Sequence, residues 1–161
     1  MLGITVICIG KLNADYFSRG CAEFQKRIGA FANFRVTELS EESINEKNIS
    51  PAAVEKALNK EGEKIIAAIP KGALTVAMCI EGKQLASDEL AKLFSESALC
   101  GKSEIAFIIG SSHGLCERVK KSADIKLSMS KMTFPHQLAR LMLYEQIYRA
   151  LSINASIKYH K

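Results

Sequence analysis

Residues 132–161 read MTFPHQLARLMLYEQIYRALSINASIKYHK, and the rest of the chain is interpreted in relation to this C-terminal segment. Thr133 and Pro135 predict a helix start, because threonine caps helices well and proline fits their first turn. No glycine or proline follows before Leu151, so we expect the helix to reach that residue. Apolar side chains fall on both sides of this helix, which should therefore be buried almost all round: Leu138, Leu141, Met142 and Tyr148 on one side, and Leu143, Tyr144, Ile147 and Leu151 on the other.

Four polar side chains interrupt this apolar helix. His136 and Arg140 lie four residues apart on one face, and Glu145 and Arg149 lie four apart on the opposite face. Charges in apolar surroundings are costly unless they are paired or used in function. A core helix with one Glu145–Arg149 ion pair and a frayed basic tail explains the pattern without any site. A helix whose polar side chains take part in a functional site explains the pattern as well.

Strand-like and helix-like segments alternate along the rest of the chain. Short apolar runs predict strands at residues 4–10, 35–39, 74–81, 104–109 and 125–129. Helical spacing and start signals predict helices at 15–31, 51–69, from 87 onward and at 115–122, with caps at Ser50 and Ser87 and a turn at Gly82. The alternation predicts an α/β fold in one domain, residues 1–161, with a parallel sheet and helices on both faces.

Composition narrows the class of protein. The chain has 161 residues, of which 48% are hydrophobic and 24% charged, as is typical of a globular domain. No apolar run reaches membrane length, and the N-terminal MLGITVICIG is interpreted as a strand. The five cysteines form no CxxC pair, which predicts reduced thiols, a cytoplasmic location and no metal site.

The positive charge is concentrated at the C-terminal end. Residues 1–117 carry 13 Lys and Arg against 15 Asp and Glu, whereas residues 118–161 carry 9 against 2. A solvated lysine face accounts for such an excess. An anionic partner such as nucleic acid accounts for it too.

Three segments follow successive predicted strands, at residues 78–82, 110–114 and 128–134. The carboxyl ends of parallel strands are where such sheets bind ligands. The middle segment, GSSHG, has small residues that let a backbone approach a ligand, but it lacks the GxGxxG and Walker A patterns. A plain strand-to-helix turn explains it equally, with His113 as an exposed turn residue.

The runs TFPHQLAR and YEQIYRA and the terminal YHK resemble the signature of the bacterial RlmH family. Its members are small SPOUT-class methyltransferases that modify a pseudouridine of 23S ribosomal RNA at N3. The resemblance implies a C-terminal trefoil knot whose loops hold S-adenosylmethionine. By position, the implied cofactor contacts are Met78, Gly110, Met129, Ser130, Lys131, Met132, Thr133 and Phe134.

One position departs from that family. Its members usually have two glycines where this chain has Gly110 and Ser111. If the second position required a positive φ, serine there would cost about 1 kcal/mol.

The resemblance also implies where the chemistry lies. The N3 of a uracil-type ring must lose a proton to attack the sulfonium methyl, which calls for alignment, a proton acceptor and a stabilising cation. His136, Arg140, Tyr159 and His160 supply those residue types, although Arg140 suits an RNA phosphate equally and His136 suits a local hydrogen bond in the first helical turn. The implied partners are 23S rRNA or the ribosome and a second copy of the chain, bound through the terminal helix, whose tail completes the site.

Two other functions fit the residues. One is a SPOUT enzyme that acts on another RNA, such as tRNA. The other is a non-catalytic α/β module that binds a nucleotide or the ribosome. Binding of S-adenosylmethionine separates the enzymes from the module.

Overall fold

A computed structural model describes all of residues 1–161. Ten main elements alternate along the chain, with one short 3-10 turn at Glu46–Asn48. The strands are β1 (Gly3–Ile9), β2 (Asn33–Leu39), β3 (Leu74–Gln84), β4 (Glu104–Ile109) and β5 (Ile125–Ser128). The helices are α1 (Asp15–Ile28), α2 (Pro51–Ala68), α3 (Ser87–Leu99), α4 (Glu117–Ser122) and α5 (His136–Asn154).

The five strands form one parallel sheet in the order β2-β1-β4-β3-β5, as the alternation predicted. In the centre, β1 pairs with β4 from Gly3 opposite Glu104 to Cys8 opposite Ile109. Both strands are almost completely buried, which explains their continuous apolar sequence. Since every strand points the same way, the segments after β3, β4 and β5 all leave from one edge.

Helices cover both faces of the sheet. On one face α5 lies between α1 and α3, and its side chains join a core with Val6, Phe94 and Phe107. On the other face α2 and α4 pack through Ile65 and Val119 against the sheet. The predicted α/β class with helices on both faces is confirmed.

The two sides of α5 differ in burial. Leu143, Tyr144, Ile147 and Leu151 are buried, as expected for the side that faces the sheet. The opposite side is only half-buried in a single chain. Helix α1 covers part of it, because a Cβ on its Gly20 would lie 2.9 Å from Leu141 Cδ1. One chain therefore buries one side of α5, and burial of the helix almost all round stays a prediction that requires a second copy of the chain.

The caps of the helices are only partly as predicted. Ser50 caps α2 as expected, because its Oγ accepts from the Ala53 N–H at 3.1 Å. Thr133 does not cap α5, whose N-cap is Pro135. Ala86, not Ser87, is the N-cap of α3, and its N–H donates to Glu89 Oε2 at 2.7 Å.

The predicted turn at Gly82 is wrong. Strand β3 continues through this residue to Gln84, with a register shift against β5 between Met78 and Lys83. A Cβ at Gly82 would lie 2.7 Å from the backbone of Leu127, so glycine is required for strand contact. No helix here combines the length and the hydropathy that a membrane span requires.

Candidate active site

A cavity of about 650 Å³ opens where residues 78–81 of β3 and the segments after β4 and β5 meet the first turn of α5. Residues 78–82 were expected to follow a strand, but they lie within β3, which continues to Gln84. The cavity brings together residues far apart in sequence, because the parallel strands deliver them to one edge. Seven of the eight implied cofactor residues line it: Met78, Gly110, Met129, Ser130, Met132, Thr133 and Phe134. The eighth, Lys131, is exposed and is not part of the cavity wall.

The wall formed by residues 110–114 is a tight turn. The Gly114 N–H donates to the Ser111 carbonyl at 2.9 Å, and Gly114 adopts a φ of 88°. A Cβ at Gly110 would lie 2.2 Å from the Gly114 carbonyl oxygen. Glycine at position 110 is therefore required by the turn itself.

Serine at position 111 is not strained. Its φ is not positive, because Ser156 is the only non-glycine residue with a positive φ. The Ser111 side chain is buried, and its hydroxyl donates to Glu61 Oε2 at 3.0 Å. The cost anticipated for a serine in place of the second glycine is thus absent.

The segment between β5 and α5 is held by its own serines. Ser128 Oγ donates to the Ser130 carbonyl at 2.8 Å, and the Met132 N–H donates to Ser130 Oγ at 3.0 Å. These bonds fold the segment against the cavity. Met132 lines the cavity yet is 72% exposed, so an apolar side chain stands at its mouth.

An ion pair in the cavity wall was missed by the sequence analysis. Lys120 Nζ lies 2.5 Å from Glu81 Oε1, and the hydrogen bond from Lys120 holds the pKa of Glu81 below its usual range. Glu81 follows the buried half of β3, whereas Lys120 lies in α4. Nothing in their sequence spacing pairs them. The only local sign of this ion pair in the sequence is an acidic residue, Glu81, at the end of the predicted strand.

His136 and Arg140 occupy different environments despite their helical spacing. His136 is half-buried at the start of α5 and lines the cavity. Arg140, one turn later, is 6% exposed and does not line it. Its Nη2 lies 2.8 Å from Glu38 Oε1, and its Nε donates to the Tyr144 hydroxyl at 3.2 Å.

The C-terminal tail is docked and not frayed. After α5 the chain reverses at Ser156, with φ of 54°, and Tyr159 returns to the helix. The Tyr159 ring lies edge-on to Tyr148 with centroids 4.7 Å apart, and its hydroxyl donates to Glu145 Oε1 at 3.1 Å. Burial and the Glu145 carboxylate raise the pKa of Tyr159, so the hydroxyl stays protonated.

The rest of the tail is anchored at the same end of α5. The predicted Glu145–Arg149 ion pair is present. Arg149 also lies 4.7 Å above the Tyr159 ring, and its Nη1 lies 3.4 Å from His160 Nδ1. Arg149 is thirteen residues beyond His136, a span of about 20 Å along a helix. Within one chain, Tyr159 and His160 therefore lie far from the cavity.

Replacement of Gly110 by alanine should destabilise the protein by about 1–3 kcal/mol, because the new methyl group overlaps the Gly114 carbonyl. Gly29→Ala is the matched control, since Gly29 has a φ of −58° and a Cβ there meets only ordinary contacts. It should stay within about 0.5 kcal/mol of the wild type. Urea unfolding measures both. Equal stability of the two variants would contradict the tight turn.

Comparisons with known proteins agree with this architecture. The family described as "Predicted SPOUT methyltransferase" matches residues 2–160. "Ribosomal RNA large subunit methyltransferase H" of Carboxydothermus hydrogenoformans is 46% identical over 98% of this chain and 99% of its own length. The protein of that name from an Exiguobacterium species is also 46% identical, over 99% of this chain and 100% of its own.

Solved structures share the fold at much lower identity. A probable methyltransferase from Bordetella pertussis superposes with a TM-score of 0.55 over 93% of this chain and 96% of its own, at 13% identity. That likeness extends to the fold alone. The family match and the full-length relatives establish that the chain belongs to the SPOUT methyltransferases, among the large-subunit ribosomal RNA methyltransferase H proteins.

Proposed function

We propose that the protein transfers a methyl group from S-adenosylmethionine to N3 of a pseudouridine in 23S ribosomal RNA, on ribosomes in the cytoplasm. The observation that carries the proposal is the cavity at the carboxyl edge of the sheet, which gathers seven implied cofactor residues and His136. The names of the full-length relatives support the ribosomal RNA substrate. The excess of basic residues in 118–161 suits an RNA partner.

The cavity fits S-adenosylmethionine in size and chemistry. Its volume of about 650 Å³ lies within the range of small-molecule sites. Met78, Leu127 and Phe134 offer apolar surface for a nucleobase. The tight turn at residues 110–114 and the segment 129–134 offer backbone groups for polar atoms, so these residues would hold the cofactor.

His136 is the strongest candidate for contact with the reacting base. S-adenosylmethionine supplies an electrophilic methyl group on a sulfonium, and the N3 proton must leave as the N–C bond forms. His136 is the only one of the four proposed catalytic residues that lines the cavity in its own chain. A half-buried imidazole there is suited to accept that proton or to orient the N3–H.

Arg140 is better assigned to positioning than to substrate contact. Its guanidinium is buried and bonded to Glu38 and Tyr144, so it has little freedom to reach an RNA phosphate. A buried arginine that lost Glu38 would be an unpaired charge, which is strongly unfavourable. We therefore assign Arg140 to fixing the first turns of α5, and with them His136.

Tyr159 and His160 fit the proposal only if a second chain supplies them. Helix α5 keeps a stripe of half-buried side chains at 4-3-4 spacing, Leu138, Met142, Glu145 and Arg149, of which the tail covers only the last two. Two such stripes packed about a two-fold axis bury each other. In antiparallel contact, they place the tail of one chain beside the first turn of the other. The proposed enzyme is thus a homodimer whose tail completes its partner's site.

Incubation with ribosomes from a strain that lacks the protein tests the reaction. With S-adenosylmethionine carrying a labelled methyl group, mass spectrometry of digested RNA should find one methylated pseudouridine in 23S rRNA. His136→Ala should slow the transfer by about 100-fold or more, since a positioned acid–base group contributes that much. A label in tRNA, or no label, would contradict the proposed substrate.

Heterodimers test whether the tail acts on the partner. A His136→Ala chain paired with a chain ending at Lys158 should keep about half of the wild-type activity. In this heterodimer one of the two sites has both His136 from the truncated chain and the intact tail from the His136→Ala chain. Differently tagged chains, co-expressed and purified through both tags, give this species.

The control places both changes on one chain and pairs it with a wild-type chain. That heterodimer should be inactive, since one of its sites lacks His136 and the other lacks the partner's tail. The reverse result, activity in the control and none in the first heterodimer, would show that the tail serves its own chain.

A further inference from the structure

Glu61 is a buried carboxylate for which the proposed reaction has no use. It lies in α2 on the face of the sheet opposite α5, and it is 2% exposed. Its Oε2 accepts from the Ser111 hydroxyl at 3.0 Å, and its Oε1 accepts from the Glu42 N–H at 3.0 Å. Burial of a carboxylate is costly unless such bonds compensate it. Two donors therefore have to be held at fixed positions.

The next residue in α2 fixes the other end of the same loop. A Cβ at Gly62 would lie 2.4 Å from Cys116 Sγ and 3.4 Å from Val119 Cγ2. Ser111 lies in the turn at residues 110–114, which forms one wall of the cavity, and Cys116 lies two residues after that turn. The pair Glu61-Gly62 thus contacts the turn through a hydrogen bond to Ser111 and packs closely against the chain just after it.

The bond to Glu42 extends this support to the segment after β2. Glu42 also forms an ion pair with Lys64, at 2.5 Å, one turn beyond Glu61 in α2. Helix α2 is therefore bonded both to the segment after β2 and to the turn after β4. Glu61, Gly62 and Glu42 are absent from the cavity wall, so Glu61 reaches the cavity only through Ser111, which lines it.

We propose that Glu61 is a positioning residue for the cofactor: through Ser111 it holds the turn at residues 110–114 in the shape that S-adenosylmethionine binds. This inference rests on the proposed function. Without the Glu61–Ser111 bond the turn keeps its covalent neighbours but samples other shapes, and the bound shape must then be selected at a cost in affinity. The expected signature is a loss of cofactor affinity without a matching loss in the affinity for ribosomes.

Calorimetry with S-adenosylmethionine on the full-length protein tests the proposal. Ser111→Ala and Glu61→Ala should each weaken binding by about tenfold, as expected for a hydrogen bond to a charged group. The double variant should be little weaker than either single variant, because both remove the same bond. Glu61→Gln should stay within about threefold of the wild type, since its amide still accepts from Glu42 and donates to Ser111.

Ser97→Ala is the matched control for the loss of a buried serine. Ser97 lies in α3, away from the cavity, and is 5% exposed like Ser111. Its hydroxyl donates to the Lys102 carbonyl. It should lower the melting temperature while leaving the affinity for the cofactor unchanged. In steady state, Ser111→Ala should raise KM for S-adenosylmethionine but not KM for ribosomes.

The outcomes separate the two proposals. Wild-type affinity in both Ser111→Ala and Glu61→Ala overturns the positioning role and leaves the proposed function intact. If Glu61→Ala does not fold, Ser111→Ala alone decides, since it removes only a hydroxyl. Failure of the wild-type protein to bind S-adenosylmethionine overturns the proposed function and the positioning role together.

Discussion

The parallel alignment of β3, β4 and β5 is the constraint on which the candidate site depends. Each of these strands ends at the same edge, so the chain returns three times to one place with a different segment. The approach of β3 to β5 is close enough that only glycine fits at position 82 against the Leu127 backbone. The cavity lies between these segments, and its wall combines the tight turn at residues 110–114 with large side chains such as Met78, Leu127 and Phe134.

Helix α5 then closes the cavity and fixes His136. The helix is anchored by its buried side, where Leu143, Tyr144 and Ile147 are each 0% exposed. Arg140 adds a polar anchor in the same core through Glu38 at the end of β2. Nearby, burial raises the pKa of Cys8 to about 12, so that neighbour of Arg140 remains a neutral thiol. A histidine at the first turn of so firmly packed a helix has a well-defined position, as alignment of a base requires.

The sequence predicts the order of the elements well, because periodicity and apolar runs report burial along each segment. It also predicted that the segments at 110–114 and 128–134 lie at one edge, because parallel strands end at the same edge. The third segment, 78–82, lies within β3 and is not a loop. Prediction from sequence failed where contact depends on distant segments. The Gly82 contact with Leu127, the Glu81–Lys120 pair and the bond from Ser111 to Glu61 join segments whose proximity no local pattern encodes.

The position of the C-terminal tail also depends on contacts that no local sequence pattern encodes. The lack of a helix or strand pattern predicts a frayed tail, because termini are usually disordered, whereas the family resemblance implies a catalytic Tyr159. A left-handed turn at Ser156 returns it to α5, where Tyr148 and Glu145 hold it. The threading of the C-terminal chain as a trefoil knot, and the single-domain organisation, stay predictions. Their basis is the family resemblance and the alternating elements.

The cavity at the carboxyl edge of β3, β4 and β5 is the proposed cofactor site. A crystal structure with S-adenosylhomocysteine bound would test this proposal. We expect the ligand between Met78, the turn at residues 110–114 and the segment 129–134, with its sulfur facing His136. Ordered ligand at any other place on the protein, with this cavity empty, would contradict it.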